Sequence, residues 1–326
     1  MMIKKILIVV AALLVIAAIF IYYRTGPSGD IDQYQSYFVD DNNKPLDSGV
    51  RVTFFGVSTL LIDDGQTQIL IDGFFSRYPM SKVLTSDISS DTAAINRFIN
   101  EYKVNRLKGI FVTHSHYDHS FDAGYVAKKT GATLYGSTST LNVGRGVNVP
   151  DSQLEEFQPN KDLALGNFTM RVVPSKHSPT DGKLDGEITA PIRQPASMKV
   201  YLEGGAYDFL VTWKGKKIYI KPSPNFIPGA LDSLDVDVLF LGIATITKRD
   251  SNWTEDFYRE NVTAVNPSVV IPLHWDDFFQ PLSDHLEMLP KLTGNVEKDF
   301  DYVIERTKAD GSEFKILQGT KSIILF

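Results

Sequence analysis

The feature that most constrains the fold is a cluster of metal-binding residue types directly after an apolar, strand-like run. Residues 110–112 are apolar, and an H-x-H-x-D-H motif occupies positions 114–119. Imidazoles and a carboxylate on a tight loop at a strand end can converge on one point, as zinc, iron or manganese sites require. The chain has only six histidines, so this clustering is informative. It predicts a metal site whose ligands include His114, His116, Asp118 and His119.

Two further histidines stand in matching settings. His177 follows a strand-like run at 168–174, and His274 follows another at 269–273. Taken alone, either residue fits an ordinary loop histidine. Because five of the six histidines follow strand-like runs, we expect His177 and His274 to join the same site. The sixth, His285, is interpreted as a surface helix residue.

The N-terminus carries an uncharged stretch of 18 residues at positions 6–23, preceded by Lys4 and Lys5. As a helix it would span about 27 Å, close to a bilayer core of about 30 Å. The stretch is longer than a typical signal-peptide core and ends without a small-x-small cleavage site, which favours an uncleaved anchor over a cleaved signal peptide. The positive-inside rule places the N-terminus in the cytoplasm. The remaining chain is then extracytoplasmic, in the periplasm or outside the cell.

Composition narrows the class of protein and the kinds of site that the chain can form. The 326 residues are 43% hydrophobic and 22% charged, which is typical of a globular protein. Without cysteine, disulfides and thiolate metal sites are excluded. Residues 1–24 hold three of the 33 basic residues and none of the 39 acidic ones, so the remainder has a formal charge of −9 and no nucleic-acid partner is expected.

The chain divides into an anchor at 1–24, a polar linker at 25–49 and a domain at 50–326. Helices are predicted at 91–102, with Asp91 as N-cap, and at 122–129 and 254–265. Strands are predicted at 50–55, 59–62, 68–71, 107–113, 132–135, 168–174, 199–203, 207–213, 216–220, 236–242 and 269–273. Helices and strands alternate throughout, so a layered α/β or α+β fold follows.

The motif at 114–119, a hairpin-like run at 52–62 and the segment ILIDGFF at 69–75 together resemble the metallo-β-lactamase superfamily, closest to its lactonase and phospholipase-D-like branch. The resemblance covers most of residues 50–326. It implies an α+β, four-layer αβ/βα sandwich, here preceded by one transmembrane helix. It also implies one or two metals, with Asp72 supporting the site without binding metal. The implied ligands are His114, His116 and His177 for the first metal, and Asp118, His119 and His274 for the second.

One departure from the family pattern concerns the aspartate that normally bridges both metals. It is expected after the strand at 216–220, where this chain reads Lys-Pro-Ser-Pro at 221–224. Without it we expect a weaker two-metal centre in which one metal dominates. Lys221 would either disfavour a second cation or contact an anionic substrate. The candidates to replace the missing ligand are Asp181, Asp185, Asp276 and Asp277.

The leading hypothesis is metal-assisted hydrolysis of an ester, lactone or phosphodiester in a small-molecule or lipid-derived substrate. Asp118 would orient the attacking water or take its proton. The alternative is a degenerate member that binds metal or ligand without turnover, which the missing bridging aspartate motivates. The retained set of five histidines argues against this alternative.

Overall fold

The computed structural model describes residues 2–40, 46, 48–180 and 182–326. The helices are α1 (Met2–Thr25), α2 (Met80–Thr85), α3 (Thr92–Glu101), α4 (Tyr117–Ser120), α5 (Ala123–Thr130), α6 (Thr138–Gly146), α7 (Ser251–Tyr258) and α8 (Val296–Asp310). The strands are β1 (Val50–Phe54), β2 (Leu60–Asp63), β3 (Gln68–Ile71), β4 (Leu107–Phe111), β5 (Thr133–Gly136), β6 (Leu154–Glu156), β7 (Asp162–Leu165), β8 (Phe168–Ser175), β9 (Ala206–Trp213), β10 (Lys216–Lys221), β11 (Val238–Gly242), β12 (Val269–Leu273), β13 (Glu313–Phe314) and β14 (Ser322–Leu325).

Among these residues the strands form two seven-stranded sheets. The first has the order β14-β1-β2-β3-β4-β5-β6, and the second has the order β13-β12-β11-β10-β9-β8-β7. One large apolar cluster contains residues of both sheets, and a smaller one joins the first sheet to α3 and α5. The structure is therefore the α+β sandwich that the sequence predicts, with one helix before it.

The strand directions explain why the site lies at one edge. The run β3 to β6 is parallel, as is the run β10 to β13, so within each run the strands end at the same edge. The motif at 114–119 follows β4, and His274 follows β12. His177 follows β8, which is antiparallel to β9 and so runs in the same direction as β10. Three loops thus meet where catalytic residues of layered folds usually lie.

Several local predictions are confirmed. Helix α3 begins after Asp91, whose carboxylate accepts hydrogen bonds from the amides of Ala93 and Ala94 as an N-cap should. Helix α5 ends at Gly131, which takes the left-handed conformation that glycine adopts without strain. Such signals depend on near neighbours alone, so sequence is sufficient to find them.

Two other local predictions are wrong, the strand at 199–203 and the helix around His285, and a third differs in its bounds. The proposed strand at 199–203 is instead a 3₁₀ turn, Met198–Val200, capped by the Ser197 hydroxyl and followed by irregular chain. The helix predicted at 254–265 begins earlier, at Ser251. Helix α7 ends at Tyr258 and is followed by a π-helical turn, Arg259–Thr263. His285 is exposed but lies outside any helix. In the first case the Ser197 hydroxyl accepts from the Lys199 amide two residues on, and this local bond outweighs β propensity.

Part of the segment predicted as a linker is packed against the domain. Ile31–Tyr37 forms a 3₁₀ helix in which Ile31 and Tyr34 are buried. The ring of Tyr34 stacks on that of Phe300 in α8, with 5.1 Å between centroids. These two apolar residues give the polar segment enough buried surface to dock. Positions 41–45 and 47 of the segment lie outside the described residues.

Candidate metal centre

The six predicted ligands come together as two adjacent groups. The three-histidine group comprises His114, His116 and His177, and the aspartate group comprises Asp118, His119 and His274. Within each group one ligand atom per residue lies within 4.8 Å of the others. The two groups touch, since the rings of His114 and His119 lie 3.9 Å apart between centroids.

In the three-histidine group, backbone carbonyls orient the rings. His114 Nε2 and His116 Nδ1 face each other at 3.1 Å. On its outer side, His116 Nε2 donates to the carbonyl of Leu184 at 3.2 Å. His177 Nδ1 donates to the carbonyl of Ser178 at 2.8 Å. These bonds leave the inner nitrogens as lone-pair donors, the arrangement found around metals bound by histidine.

The aspartate group contains a carboxylate that contacts both of its imidazoles. Asp118 Oδ2 lies 3.2 Å from His274 Nε2 and 3.7 Å from His119 Nε2. Nitrogen Nε2 of His119 is buried and has no hydrogen-bond partner among the described residues. A buried imidazole nitrogen without a partner is costly, and a divalent cation here would satisfy it. The residues present therefore fit a metal.

Asp72 holds His119 in place from behind. Its Oδ2 accepts from His119 Nδ1 at 2.8 Å and from the Ser58 hydroxyl at 2.5 Å. Its Oδ1 accepts from the Thr113 amide at 2.8 Å. Asp72 takes a left-handed backbone conformation (φ 56°), which aspartate tolerates. Sequence reasoning missed Ser58 and Thr113, whose only signal is a hydroxyl at the end of an apolar run.

His274 is fixed by a strained turn. It has a φ of 59°, and its amide donates to the carbonyl of Val57 at 2.7 Å. Val57 has a φ of 54°, unusual for a β-branched residue, and its amide donates to Asp276 Oδ1 at 2.6 Å. Buried Arg77 pairs with Asp276 Oδ2 at 2.8 Å. This chain of contacts offsets the backbone strain and keeps His274 at the site.

Burial and charge set the protonation of the ligands. Burial, followed by the neighbouring imidazoles of His116 and His119, lowers the pKa of His177 to about 3. Burial likewise lowers the pKa of His114 well below 6.5. Burial opposes ionisation of Asp118, but His119 and His274 outweigh it and hold its pKa well below 3.8. Neutral imidazoles and an ionised carboxylate are the forms that bind metal.

His119 shows the opposite shift. Burial lowers its pKa, but the carboxylates of Asp72 and Asp118 outweigh burial, so the pKa is raised above 6.5. A metal bound by the aspartate group would replace this proton, whereas the three-histidine group holds no comparable proton. The two groups thus differ in charge as well as in composition.

Among the described residues, no carboxylate belongs to both groups. Asp276 pairs with Arg77 and accepts from the Val57 amide. Asp277 accepts from the Phe279 amide. Asp185 accepts from the Thr180 hydroxyl. None of these three belongs to either group, and Asp181 lies outside the described residues.

Lys221 takes part in a buried polar cluster at the end of β10. Its ammonium lies 3.1 Å from Asp208 Oδ2 and donates to the Ser175 hydroxyl at 2.9 Å. The phenol of Tyr219 also donates to Asp208. Burial raises the pKa of Asp208, although the ammonium of Lys221 opposes that shift. A contact between Lys221 and substrate stays a prediction.

A cleft of about 560 Å³ opens beside His177. Residues 174–180 form one wall, and Asp185, Glu203 and Tyr207 contribute to the remainder. Burial, followed by Asp185, raises the pKa of Glu203. The cleft therefore provides a polar space, with carboxylates, directly at one of the predicted ligands.

Comparisons with known proteins agree with the family resemblance found in the sequence. A family model of the metallo-beta-lactamase superfamily matches residues 52–242. A "UPF0173 metal-dependent hydrolase" of Heliobacterium modesticaldum is 39% identical over 170 residues, which are 52% of this chain and 58% of that protein. A protein of the same description from Oenococcus oeni is 25% identical over 266 residues, covering 78% of this chain and all of the relative.

A solved structure, the isothiocyanate hydrolase from Delia radicum gut bacteria, is similar with a TM-score of 0.53 and 13% identity, over 84% of this chain and 99% of that one. This likeness concerns the fold alone. With the family match covering more than half of the residues and the ligand pattern assembled in space, the chain belongs to the metallo-beta-lactamase superfamily.

Proposed function

We propose that this chain is a membrane-anchored, metal-dependent hydrolase that acts on an ester, lactone or phosphodiester. The observation that carries the proposal is the pair of adjacent ligand groups beside an open polar cleft. The superfamily and the curated relatives, which are named as metal-dependent hydrolases, support the same reaction class.

The residues have different proposed roles, according to where they lie in the site. A divalent metal, when bound, supplies a Lewis acid that polarises the scissile bond and acidifies a water. Asp118 lies between His119 and His274 with its carboxylate ionised, so it orients the attacking water and accepts a proton. The cleft at His177 receives the small-molecule or lipid-derived substrate. Zinc suits this donor set, as do iron and manganese.

Helix α1 supports the anchor. It is the one helix among the described residues that is long and apolar enough to cross a membrane, and none of its residues is buried in the domain. A core helix of a soluble domain would be covered on at least one face. We place its N-terminus in the cytoplasm and the domain outside, following the lysines at positions 4 and 5.

The first test is substitution in the full-length protein loaded with metal. His116→Ala and Asp118→Ala each remove a proposed ligand, and we expect hydrolysis of ester and phosphodiester probes to fall about a thousandfold or more. His285→Ala is the matched control, because His285 is exposed and belongs to neither group. Full activity in both site variants would overturn the assignment.

A non-catalytic role is the second candidate, favoured because no carboxylate among the described residues is shared between the two groups. It predicts a different result in the same experiment. The wild-type chain would bind metal in elemental analysis yet hydrolyse none of the probes, and substitution of Asp118 would lower the metal content without a change in turnover.

A further inference from the structure

The C-terminal end of α1 is joined directly to the domain by a short ladder of hydrogen bonds. The amides of Lys291 and Leu292 donate to the carbonyls of Gly26 and Arg24 at 3.0 and 2.9 Å. The amide of Ser28 donates to the carbonyl of Leu289 at 2.9 Å. Because these bonds begin at the last turn of the helix, no free spacer separates the apolar helix from the domain.

The same ladder continues to the metal centre. The amide of Leu289 donates to the carbonyl of Trp275 at 2.9 Å, and the amide of Asp277 donates to the carbonyl of Glu287 at 2.8 Å. Trp275 directly follows His274, a member of the aspartate group. Adjacent paired segments lie about 4.8 Å apart, so the two steps from Ser28 through Leu289 to Trp275 place Ser28, just after α1, on the order of 10 Å from the backbone beside His274.

Basic side chains surround this point although the domain is acidic overall. The ammonium of Lys291 lies 4.3 Å from the ring centre of Tyr23, and Lys248 donates to the carbonyl of Thr293 at 3.2 Å. Arg249 donates to the carbonyl of Pro179, which lines the cleft at His177. The nearby acids are Asp250, Glu297 and, on the ladder itself, Glu287, and the cleft adds Asp185 and Glu203. Basic side chains close to an anionic bilayer surface are attracted to it.

We propose that the metal-bearing edge of the sandwich faces the bilayer, so that the cleft receives amphiphiles presented at the lipid surface. This inference rests on the proposed membrane anchor. The helix end, the basic residues and the cleft wall all lie on one edge, whereas the opposite edge carries the start of β5 and the end of α5. A substrate with its tail in the bilayer could place a polar scissile group at the cleft without leaving the membrane.

The orientation can be measured without any substrate. The natural chain has no cysteine, so one introduced cysteine gives a single labelling site. Lys248→Cys marks the metal-bearing edge, and Lys129→Cys, at the exposed end of α5, marks the opposite one. Each full-length variant is reconstituted in vesicles of phosphatidylcholine and phosphatidylglycerol, labelled with a fluorophore, and tested with quenchers carried on lipid headgroups.

We expect at least fivefold stronger quenching at position 248 than at position 129. Equal quenching, or stronger quenching at 129, would overturn the inference. The proposed anchor fails separately, if the wild-type protein does not sediment with the vesicles. That outcome would contradict the proposed function before orientation is considered.

A kinetic comparison tests the substrate class. Two esters with the same leaving group, one short-chain and soluble and the other long-chain and inserted in the vesicles, are offered to the full-length protein. We expect the inserted ester to be hydrolysed at least tenfold faster at equal total concentration. Faster hydrolysis of the soluble ester would contradict delivery from the bilayer. A matched soluble and inserted pair of phosphodiesters is tested in the same way, and hydrolysis of none of the four would contradict the proposed function.

Discussion

The two ligand groups lie side by side but are built differently. The three-histidine group is uncharged, and two of its rings are oriented by backbone carbonyls, those of Leu184 and Ser178. The aspartate group contains an ionised carboxylate and has a second one, Asp72, directly behind it. Since no carboxylate in the described part of the chain is shared by both groups, the negative charge is concentrated on one side of the centre.

This asymmetry favours one metal over two. Two unit charges 4 Å apart interact by about 4 kcal/mol at an effective dielectric constant of 20, and two divalent cations repel more strongly. With no bridging carboxylate among residues 48–180 and 182–326 to offset that repulsion, we expect the second cation to bind more weakly. We infer that the aspartate group takes the first cation, because only this group supplies a full negative charge.

The largest expected effect is on metal affinity, which substitutions in the two groups should change to different extents. His119→Ala should weaken binding of the first zinc equivalent more than a hundredfold, beyond the 10- to 100-fold effect typical of supporting residues. His177→Ala should change it by less than tenfold, since this residue belongs to the weaker group. Competition with a chromophoric chelator measures both. The reverse order would show that the three-histidine group is the primary site and would break the comparison.

The next largest effect concerns how the stability of the metal-free protein depends on pH. His177 has a pKa of about 3 when folded against 6.5 when unfolded, so the unfolded chain binds the proton first. The stability that depends on neutral His177 is present above pH 6.5 and is lost as pH falls towards 3. Denaturant unfolding should show the advantage of wild type over His177→Ala shrinking by about 2–3 kcal/mol between pH 7 and pH 4.5.

His119 should behave in the opposite sense. Its folded pKa is raised, so its stabilising contribution is present below pH 6.5 and is lost as pH rises through the folded value. The advantage of wild type over His119→Ala should therefore grow on acidification. If both differences moved in the same direction, the charge asymmetry between the groups would not hold.

The residues that form the two groups can be predicted from sequence, because each segment follows a strand whose end is set by local pattern. The motif at 114–119 needs only its own spacing, and His177 and His274 need only the strands before them. The residues that support the two groups cannot be predicted from sequence, because they and their partners are distant along the chain. Arg77 pairs with Asp276, 199 positions away, and no local pattern links them.

The same limit explains two interpretations that the structure changes. Asp276 is a plausible substitute ligand in the sequence, but its pairing with Arg77 commits it to holding the turn at Val57. Polar composition at 25–49 indicates a linker, yet Tyr34 reaches Phe300 and docks part of it. Tertiary contacts at long sequence separation decide both cases.

The smallest effect concerns how the aspartate group is supported. Asp72→Asn keeps the size of the side chain but replaces the charged acceptor of His119 Nδ1–H, so the ring loses its fixed orientation. We expect zinc affinity to fall 10- to 100-fold. Asp122→Asn is the matched control, because Asp122 is equally buried and accepts from Phe75 and Ser76 but touches no ligand. Both variants should lose stability, and only Asp72→Asn should lose affinity. Equal affinity in the two would mean that Asp72 supports the fold alone and that the aspartate group owes its strength to Asp118.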